Sequence, residues 1–230
     1  MRERGDLCCF HEPFMYDYYV ARNKRAMPHF KAEPGRPVSY QQVRDALMQS
    51  AEKSPVFVKD MSYYVIPHIL DDEEFCARLI NTFLIRDPIA SIASYFKLDP
   101  DISCEEIGLE AQARHYCALQ ERGENPLVIE AEDIRTNTRG VVNAYWQAIG
   151  LSPAEHAFSW QGDNPQDWKQ VGGWHADVSA TREILPISRD ELDAQKKRFN
   201  ALAKQHPNLQ ALLSHHQPYY DMLKTKALKI

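Results

Sequence analysis

The chain has 230 residues, of which 44% are hydrophobic and 26% charged, and its formal net charge is -5. This length fits one domain with its own core. No basic block marks a nucleic-acid surface, no apolar stretch reaches the length of a membrane span, and the first residues lack the apolar region of a signal peptide. Five cysteines, an odd count without metal-ligand spacing, indicate reduced thiols in a cytoplasmic compartment.

Short apolar runs predict four β-strands. They lie at 7–10, 55–59, 82–86 and 126–130. Helical patterns lie between and after them, at 40–52, 71–79, 88–97, 103–122, 136–149, 188–205 and 207–226. Strands alternate with helices, and most strands are continuous apolar runs, so the pattern predicts an α/β fold with a parallel sheet covered on both faces. We expect a single domain over 1–230, with the helices of 188–226 at its C-terminal end.

Local signals predict where some helices begin and end. Ser39 with Gln42, and Ser103 with Glu106, have the spacing of a capping box. Gly150 follows the helix predicted at 136–149 and is typical of a helix end. Residues 152–187 show no clear periodicity, and we predict irregular structure there.

The segment 81–96 carries the most specific chemical signal. An apolar strand ends at Arg86, Pro88 suits the first turn of a helix, and Ser94 lies eight residues after Arg86. A guanidinium at a strand end and a hydroxyl on the adjoining helix can both face the crevice where α/β sheets bind ligands. This pair suits a phosphate dianion. The alternative is an ordinary strand-to-helix junction in which Arg86 is solvated or paired with Asp87.

This strand–Arg-Asp-Pro–helix–Ser arrangement resembles the 3′-phosphate-binding segment of sulfotransferases, enzymes that use 3′-phosphoadenosine 5′-phosphosulfate (PAPS). The resemblance implies a three-layer α/β/α, P-loop-NTPase-like fold with a mostly parallel sheet. It also implies PAPS as co-substrate, no metal, and binding of the 3′-phosphate by Arg86 and Ser94.

Two strand ends offer catalytic candidates. Glu12 follows the first strand and could accept a proton from a substrate, as a glutamate does in several sulfotransferase groups. His11 is the alternative base, expected to point to the opposite face if the strand continues that far. Lys59 ends the second strand and resembles the lysine that contacts the transferring sulfuryl group. Met61 stands where cytosolic sulfotransferases have a catalytic histidine, which favours Glu12. Both Glu12 and Lys59 could instead be solvated.

A late glycine-containing stretch, Val-Gly-Gly-Trp-His, resembles the loop that closes over the donor nucleotide in this family. The resemblance implies donor binding by Gly172, Gly173, Trp174 and His175. The usual upstream Arg-Lys-Gly is missing, and the alternative is a turn with a core tryptophan.

The phosphosulfate loop of the family, typically Pro-Arg-Ser-Gly-Thr-Thr, does not occur in this sequence. We therefore expect the first family strand and this loop to be missing, either because the chain is N-terminally shortened and impaired or because it is a natural variant. Loss of a central strand would leave ladder edges unpaired, which favours pairing between chains and a homo-oligomer.

The sequence thus predicts a sulfotransferase that moves a sulfuryl group from PAPS to a hydroxyl or amine of a small-molecule acceptor, without nucleic-acid or membrane partners. One alternative is a non-catalytic sulfotransferase-like domain that binds a nucleotide or a protein. A P-loop kinase relative is weaker, because it would need a Gly-Lys-Ser/Thr loop and magnesium ligands. Tyrosines 16, 18, 19, 63 and 64 could line an acceptor pocket or simply pack in the core.

Overall fold

A computed structural model describes residues 1–160, 165–174 and 181–230 of the protein. The chain divides into two compact units. The first unit comprises Met1–Leu79 and Ala154–Glu183, and the second comprises Ile80–Pro153 and Ile184–Ile230. The single domain expected from the sequence stays a prediction. No helix in the described part of the chain combines the length and the apolar character needed to cross a membrane.

The first unit is built around one pair of parallel strands. Strand β1 (Cys8–His11) pairs with β2 (Val56–Lys59), and the register joins Cys8 to Val56 and His11 to Lys59. Its helices are α1 (Tyr40–Ala51), α2 (Ser62–Ile69) and α3 (Glu73–Cys76). A π-helix at Asp17–Ala21 and 3₁₀ helices at Arg2–Arg4, Glu155–Phe158 and Gln166–Trp174 complete the unit.

Capping explains where α1 begins. The Ser39 side chain accepts a hydrogen bond from the Gln42 amide, and the Gln42 side chain accepts one from the Ser39 amide, which confirms the predicted capping box. Helix α2 was not predicted. It contains Pro67 and is rich in tyrosine and β-branched residues, so local propensity disfavours it, whereas burial of one apolar face stabilises it.

Aromatic side chains form much of the core of the first unit. The five tyrosines singled out from the sequence are all buried: Tyr16, Tyr18, Tyr19, Tyr63 and Tyr64. Tyr18, for example, packs edge-to-face on Tyr63, with the ring centroids 5.3 Å apart. All five therefore pack in the core, in line with the second of the two interpretations, and Tyr64 in addition directs its hydroxyl at Glu12.

The second unit also contains one parallel pair. Strand β3 (Thr82–Ile85) pairs with β4 (Leu127–Glu130), and the register joins Thr82 to Leu127 and Ile85 to Glu130. On its other side β4 forms a parallel bridge between Val128 and Ala227. The helices are α4 (Pro88–Leu98), α5 (Cys104–Ile107), α6 (Leu109–Glu121), α7 (Ala131–Thr136), α8 (Thr138–Ala148), α9 (Arg189–Gln205) and α10 (Pro207–Lys224).

Apolar side chains from these strands and helices meet in one buried cluster. Its most buried members are Ile85, Ile92, Leu119, Val128, Leu209 and Leu223. Such burial supplies the main stabilising term for the unit and holds the ends of β3 and β4 in place.

One predicted helix is interrupted. The helix expected at 103–122 starts with the predicted Ser103–Glu106 capping box but breaks at Gly108, whose φ of 82° ends α5 and precedes α6. The helix expected at 136–149 is confirmed as α8, which begins after Asn137, whose side chain accepts from the Gly140 amide. The short helix α7 before it was not predicted.

The predicted parallel pairing is confirmed, and the fold is of the α/β class. The described residues form two separate two-stranded sheets, whereas the sequence led us to expect one sheet. The reason is that strand pairing is long-range, and a strand's apolar pattern does not identify its partner. The three-layer arrangement and the missing first strand stay predictions.

Candidate functional site

Glu12 and Lys59 meet at the carboxyl ends of β1 and β2. The register continues one step past β1, where the Glu12 amide donates to the Lys59 carbonyl oxygen at 2.6 Å. At this point the Lys59 Nζ forms an ion pair with Glu12 Oε1. The Glu12 side chain is 11% exposed and the Lys59 side chain 44%, so the carboxylate is largely enclosed while the ammonium reaches solvent. A carboxylate in this position can accept a proton from a bound substrate, and the ammonium beside it can contact an anion.

The backbone of Glu12 departs from strand geometry. Its φ is 47°, in the left-handed region that a non-glycine residue rarely adopts. This turn brings the two sequence-derived base candidates together, because His11 Nε2 lies 3.7 Å from Glu12 Oε1. The expectation that His11 points to the opposite face is therefore wrong, since β1 ends at His11. Strain of this kind often accompanies functional sites.

Tyr64 and His11 lie beside Glu12. The Tyr64 hydroxyl donates to Glu12 Oε2 at 3.5 Å, and the His11 ring is in turn tilted against Trp168, with the centroids 5.7 Å apart. A hydrogen bond to the buried Glu12 carboxylate is electrostatically stronger than the same bond in water.

Asp60 is a neighbouring acid that the sequence analysis overlooked. Its carboxylate accepts hydrogen bonds from the Phe14 amide at 3.0 Å and the Met61 amide at 2.9 Å. Burial raises the pKa of Asp60 to about 8, opposed by the Phe14 amide and reinforced by the Glu12 carboxylate. The available signal was its position directly after β2. Met61 contributes its thioether, with Sδ 3.6 Å from Lys59 Nζ.

Arg86 and Ser94 lie in the second unit at the junction of β3 and α4. Asp87 is the N-cap of α4 and accepts from the Ile89 amide at 2.8 Å, while its own amide donates to the Glu132 carboxylate at 3.2 Å. Arg86 precedes this cap, is exposed, and has no hydrogen bond or ion pair among the described residues. Arg86 and Asp87 thus form no direct ion pair, and the exposed guanidinium fits the other half of the alternative, a solvated Arg86. Ser94, on the second turn of α4, is also exposed.

The electrostatic surroundings of Arg86 are mixed. Burial raises the pKa of the Glu132 carboxyl, and Asp87 adds to this shift. An anion that binds Arg86 would be repelled by these nearby acids. The helix α4 begins two residues after Arg86, and the free amides of its first turn attract negative charge. A guanidinium without a protein partner can still offer its two-pronged donor set to a phosphate.

The glycines predicted to contact the donor lie at the end of the 3₁₀ helix Gln166–Trp174, where we had expected irregular structure. The Trp174 indole N–H donates to the Pro28 carbonyl oxygen at 2.8 Å and anchors this segment. Gly173 packs closely on His29, since a Cβ at Gly173 would lie 2.8 Å from His29 Cγ, whereas Gly172 faces open space. His175, the fourth predicted residue, lies outside the described residues.

Comparison with known protein families gives an independent result. A family model described as a sulfotransferase domain matches residues 1–188. No curated protein and no solved structure matches the chain significantly. The family match spans β1 to β4 and includes every residue assigned above from the sequence resemblance, which is thereby confirmed at the level of the family. The chain belongs to the sulfotransferase domain family.

Proposed function

We propose that this protein transfers a sulfuryl group from PAPS to a hydroxyl or amine of a small-molecule acceptor. The observation that carries the proposal is the Glu12–Lys59 ion pair at the carboxyl ends of two parallel strands, within the region that matches the sulfotransferase family. Ligands of α/β proteins bind at this end of the strands.

Glu12 is the general base in this proposal. As the acceptor oxygen or nitrogen forms a bond to sulfur, its proton passes to the Glu12 carboxylate. At the same time the bond between sulfur and the bridging phosphate oxygen breaks, and adenosine 3′,5′-bisphosphate leaves with that oxygen and its electron pair. A positioned base contributes about 10²–10⁴-fold to such a step.

Lys59 neutralises charge on the sulfuryl oxygens. Its long side chain is 44% exposed at the Glu12 pair, so rotation about the stem can shift the ammonium from the carboxylate to a bound sulfuryl group. Once Glu12 accepts the substrate proton, it loses its charge and its attraction for Lys59 weakens. Proton transfer and stabilisation of the sulfuryl oxygens are thus coupled through one ion pair.

Two neighbouring side chains bear on the identity of the base. Met61 is close to Lys59, yet a thioether is at most a weak acceptor and does not take up a proton near neutral pH. His11 remains the competing base, because it lies 3.7 Å from the same carboxylate. Substitution of each residue separately distinguishes them.

Donor binding is assigned to two groups of residues. Arg86 and Ser94 bind the 3′-phosphate, for which the exposed and unpartnered Arg86 guanidinium is the main support. Gly172, Gly173 and Trp174, with His175, contact the nucleotide, and the Trp174 bond to Pro28 holds that segment in place.

Titration calorimetry with adenosine 3′,5′-bisphosphate tests the donor assignment. We expect micromolar binding by the wild type and at least about 10-fold weaker binding by Arg86→Ala, because charge-assisted hydrogen bonds are lost. Arg114→Ala is the matched control, since Arg114 is an exposed arginine on α6. Absence of binding by the wild type, or an equal loss in both variants, contradicts the proposal. Binding without sulfuryl transfer to any acceptor would favour the non-catalytic alternative.

A further inference from the structure

Three metal-ligating side chains converge in the second unit. Cys104 is the first residue of α5, and His215 and His216 are consecutive on α10. One ligand atom from each residue lies within 4.8 Å of the others. Cys104 and His216 are 112 residues apart, so no spacing motif in the sequence reveals the cluster.

One pair of ligand atoms already has the separation found in a tetrahedral site, whereas the three atoms together lie within 4.8 Å and have to move closer to share one cation. Cys104 Sγ lies 3.4 Å from His216 Nε2. In a tetrahedral zinc site, Zn–S of about 2.3 Å and Zn–N of about 2.0 Å place sulfur and nitrogen roughly 3.5 Å apart. The Cys104 carbonyl oxygen lies 2.9 Å from the same nitrogen and accepts a hydrogen bond from it when Nε2 carries a proton, so a cation at Nε2 has to replace this bond.

The surroundings match the charge of a divalent cation. Glu110 Oε2 lies 2.8 Å from His215 Nε2 and supplies the carboxylate partner of this imidazole. A carboxylate that contacts a ligating histidine orients the ring and raises its basicity. One thiolate and one carboxylate balance two positive charges, while both imidazoles bind in their neutral form.

Only one of the two ring nitrogens of His216 has a protein partner among the described residues. The residue is fully buried, and its Nδ1 has no hydrogen-bond partner among the described residues. Cys104 binds a cation as a thiolate and therefore releases its thiol proton on binding.

We propose that Cys104, His215 and His216 bind a thiophilic divalent cation, of which Zn²⁺ is the best match, with Glu110 as the partner of His215. The mixed sulfur and nitrogen donors favour zinc over magnesium or calcium. The site would link α5 to α10 and stabilise the second unit by mass action. It goes beyond sulfuryl transfer, which uses none of these residues.

Cobalt binding to the full chain without an affinity tag tests the site. We expect one Co²⁺ per chain, with a near-ultraviolet thiolate-to-cobalt absorption band that Zn²⁺ displaces. Cys104→Ser should abolish the band, and His215→Gln should weaken binding at least about 10-fold. Cys117→Ser is the matched control, because Cys117 is another exposed free cysteine of the same unit.

The alternative is a plain hydrogen bond from His216 to the Cys104 carbonyl oxygen. A wild type without the absorption band, a band that survives in Cys104→Ser, or an equal loss in Cys117→Ser overturns the proposal. Unchanged affinity in His215→Gln overturns the ligand set. Cys104 and His215 are both exposed, so Cys104→Ser and His215→Gln should fold, and circular dichroism checks that they do. The midpoint of thermal unfolding gives a second readout, since Zn²⁺ should raise it in Cys117→Ser but not in Cys104→Ser.

Discussion

The Glu12 carboxylate and the Lys59 ammonium form an ion pair across the ends of two parallel strands. The backbone of the same two residues is hydrogen-bonded, with the Glu12 amide 2.6 Å from the Lys59 carbonyl oxygen. The strand register therefore fixes the positions of the Cα atoms of Glu12 and Lys59. The left-handed φ of Glu12 then decides where its carboxylate lies. Backbone pairing and a locally strained turn together produce the proposed catalytic pair.

Replacement of the proposed base should separate chemistry from binding. In Glu12→Gln the amide cannot accept the acceptor's proton, so we expect the rate of sulfuryl transfer to fall about 10²–10⁴-fold. Binding of adenosine 3′,5′-bisphosphate should persist. Release of this product from PAPS in the presence of a panel of phenols and amines measures the rate.

Two comparisons make this result specific. Glu52→Gln changes an exposed glutamate of the same unit and should leave the rate unchanged. His11→Gln tests the competing base. If it abolishes transfer while Glu12→Gln retains most of the rate, the assignment of Glu12 is wrong and His11 is the base.

The glycines of the segment 172–174 should differ in their tolerance of a methyl group. Gly173→Ala places a Cβ 2.8 Å from His29 Cγ, whereas Gly172→Ala faces open space. We expect Gly173→Ala to lower the free energy of unfolding by about 1 kcal/mol, because His29 and its backbone must move. Urea unfolding measures this change. The NMR signal of the Trp174 indole N–H, which is bonded to Pro28, should also shift in Gly173→Ala but not in Gly172→Ala. Equal behaviour of the two variants contradicts this packing.

His115 should make the protein sensitive to mild acid. The residue is 5% exposed, neither ring nitrogen has a hydrogen-bond partner among the described residues, and burial lowers its pKa to about 4, with a smaller contribution from Arg122. The unfolded chain, with a histidine pKa near 6.5, takes up a proton before the folded chain does. Stability is therefore lost as the pH falls from about 6.5 towards 4.

This effect amounts to about 2 kcal/mol between pH 7 and pH 5. The expected result is that His115→Leu reduces the difference in unfolding free energy between these two pH values by that amount. Urea unfolding of both proteins at each pH measures it. An unchanged pH dependence in His115→Leu would show that His115 is protonated or hydrogen-bonded in the folded protein.

The end of β4 is held by a buried carboxylate. Glu130 is 5% exposed, and its Oε1 accepts hydrogen bonds from the Tyr220 hydroxyl and the Lys224 ammonium, both at 2.6 Å. Burial and the Glu130 carboxylate raise the pKa of Tyr220 strongly, so the hydroxyl remains a donor. Tyr220→Phe should lower the free energy of unfolding by about 1–3 kcal/mol, because a buried charge loses one of its donors.

Tyr219→Phe is the matched control for this measurement. Tyr219 is the neighbouring residue on α10 and is partly exposed. Loss of its hydroxyl should change the unfolding free energy by less than about 0.5 kcal/mol. Equal destabilisation in the two variants, measured by urea unfolding, would show that the Tyr220 hydrogen bond contributes nothing specific.

Local structure was predictable wherever a few neighbouring residues determine it. The strands were predicted to within two residues at each end, and both capping boxes formed as expected. Helix α2 was missed, because its stability comes from buried tyrosines rather than from helix propensity. The break at Gly108 was missed for the opposite reason, since a local glycine ends a helix inside a continuous apolar pattern.

The sequence by itself determined the family, the parallel α/β character and the residue types at the strand ends, because these depend on short motifs and on hydrophobic periodicity. Only the tertiary structure decided that His11 lies beside Glu12, that Asp60 joins them, and that Cys104 meets two histidines of α10. These contacts join residues that are distant in the chain or that depend on one unusual φ angle. Strand register and helix packing set such contacts, and no local pattern encodes them.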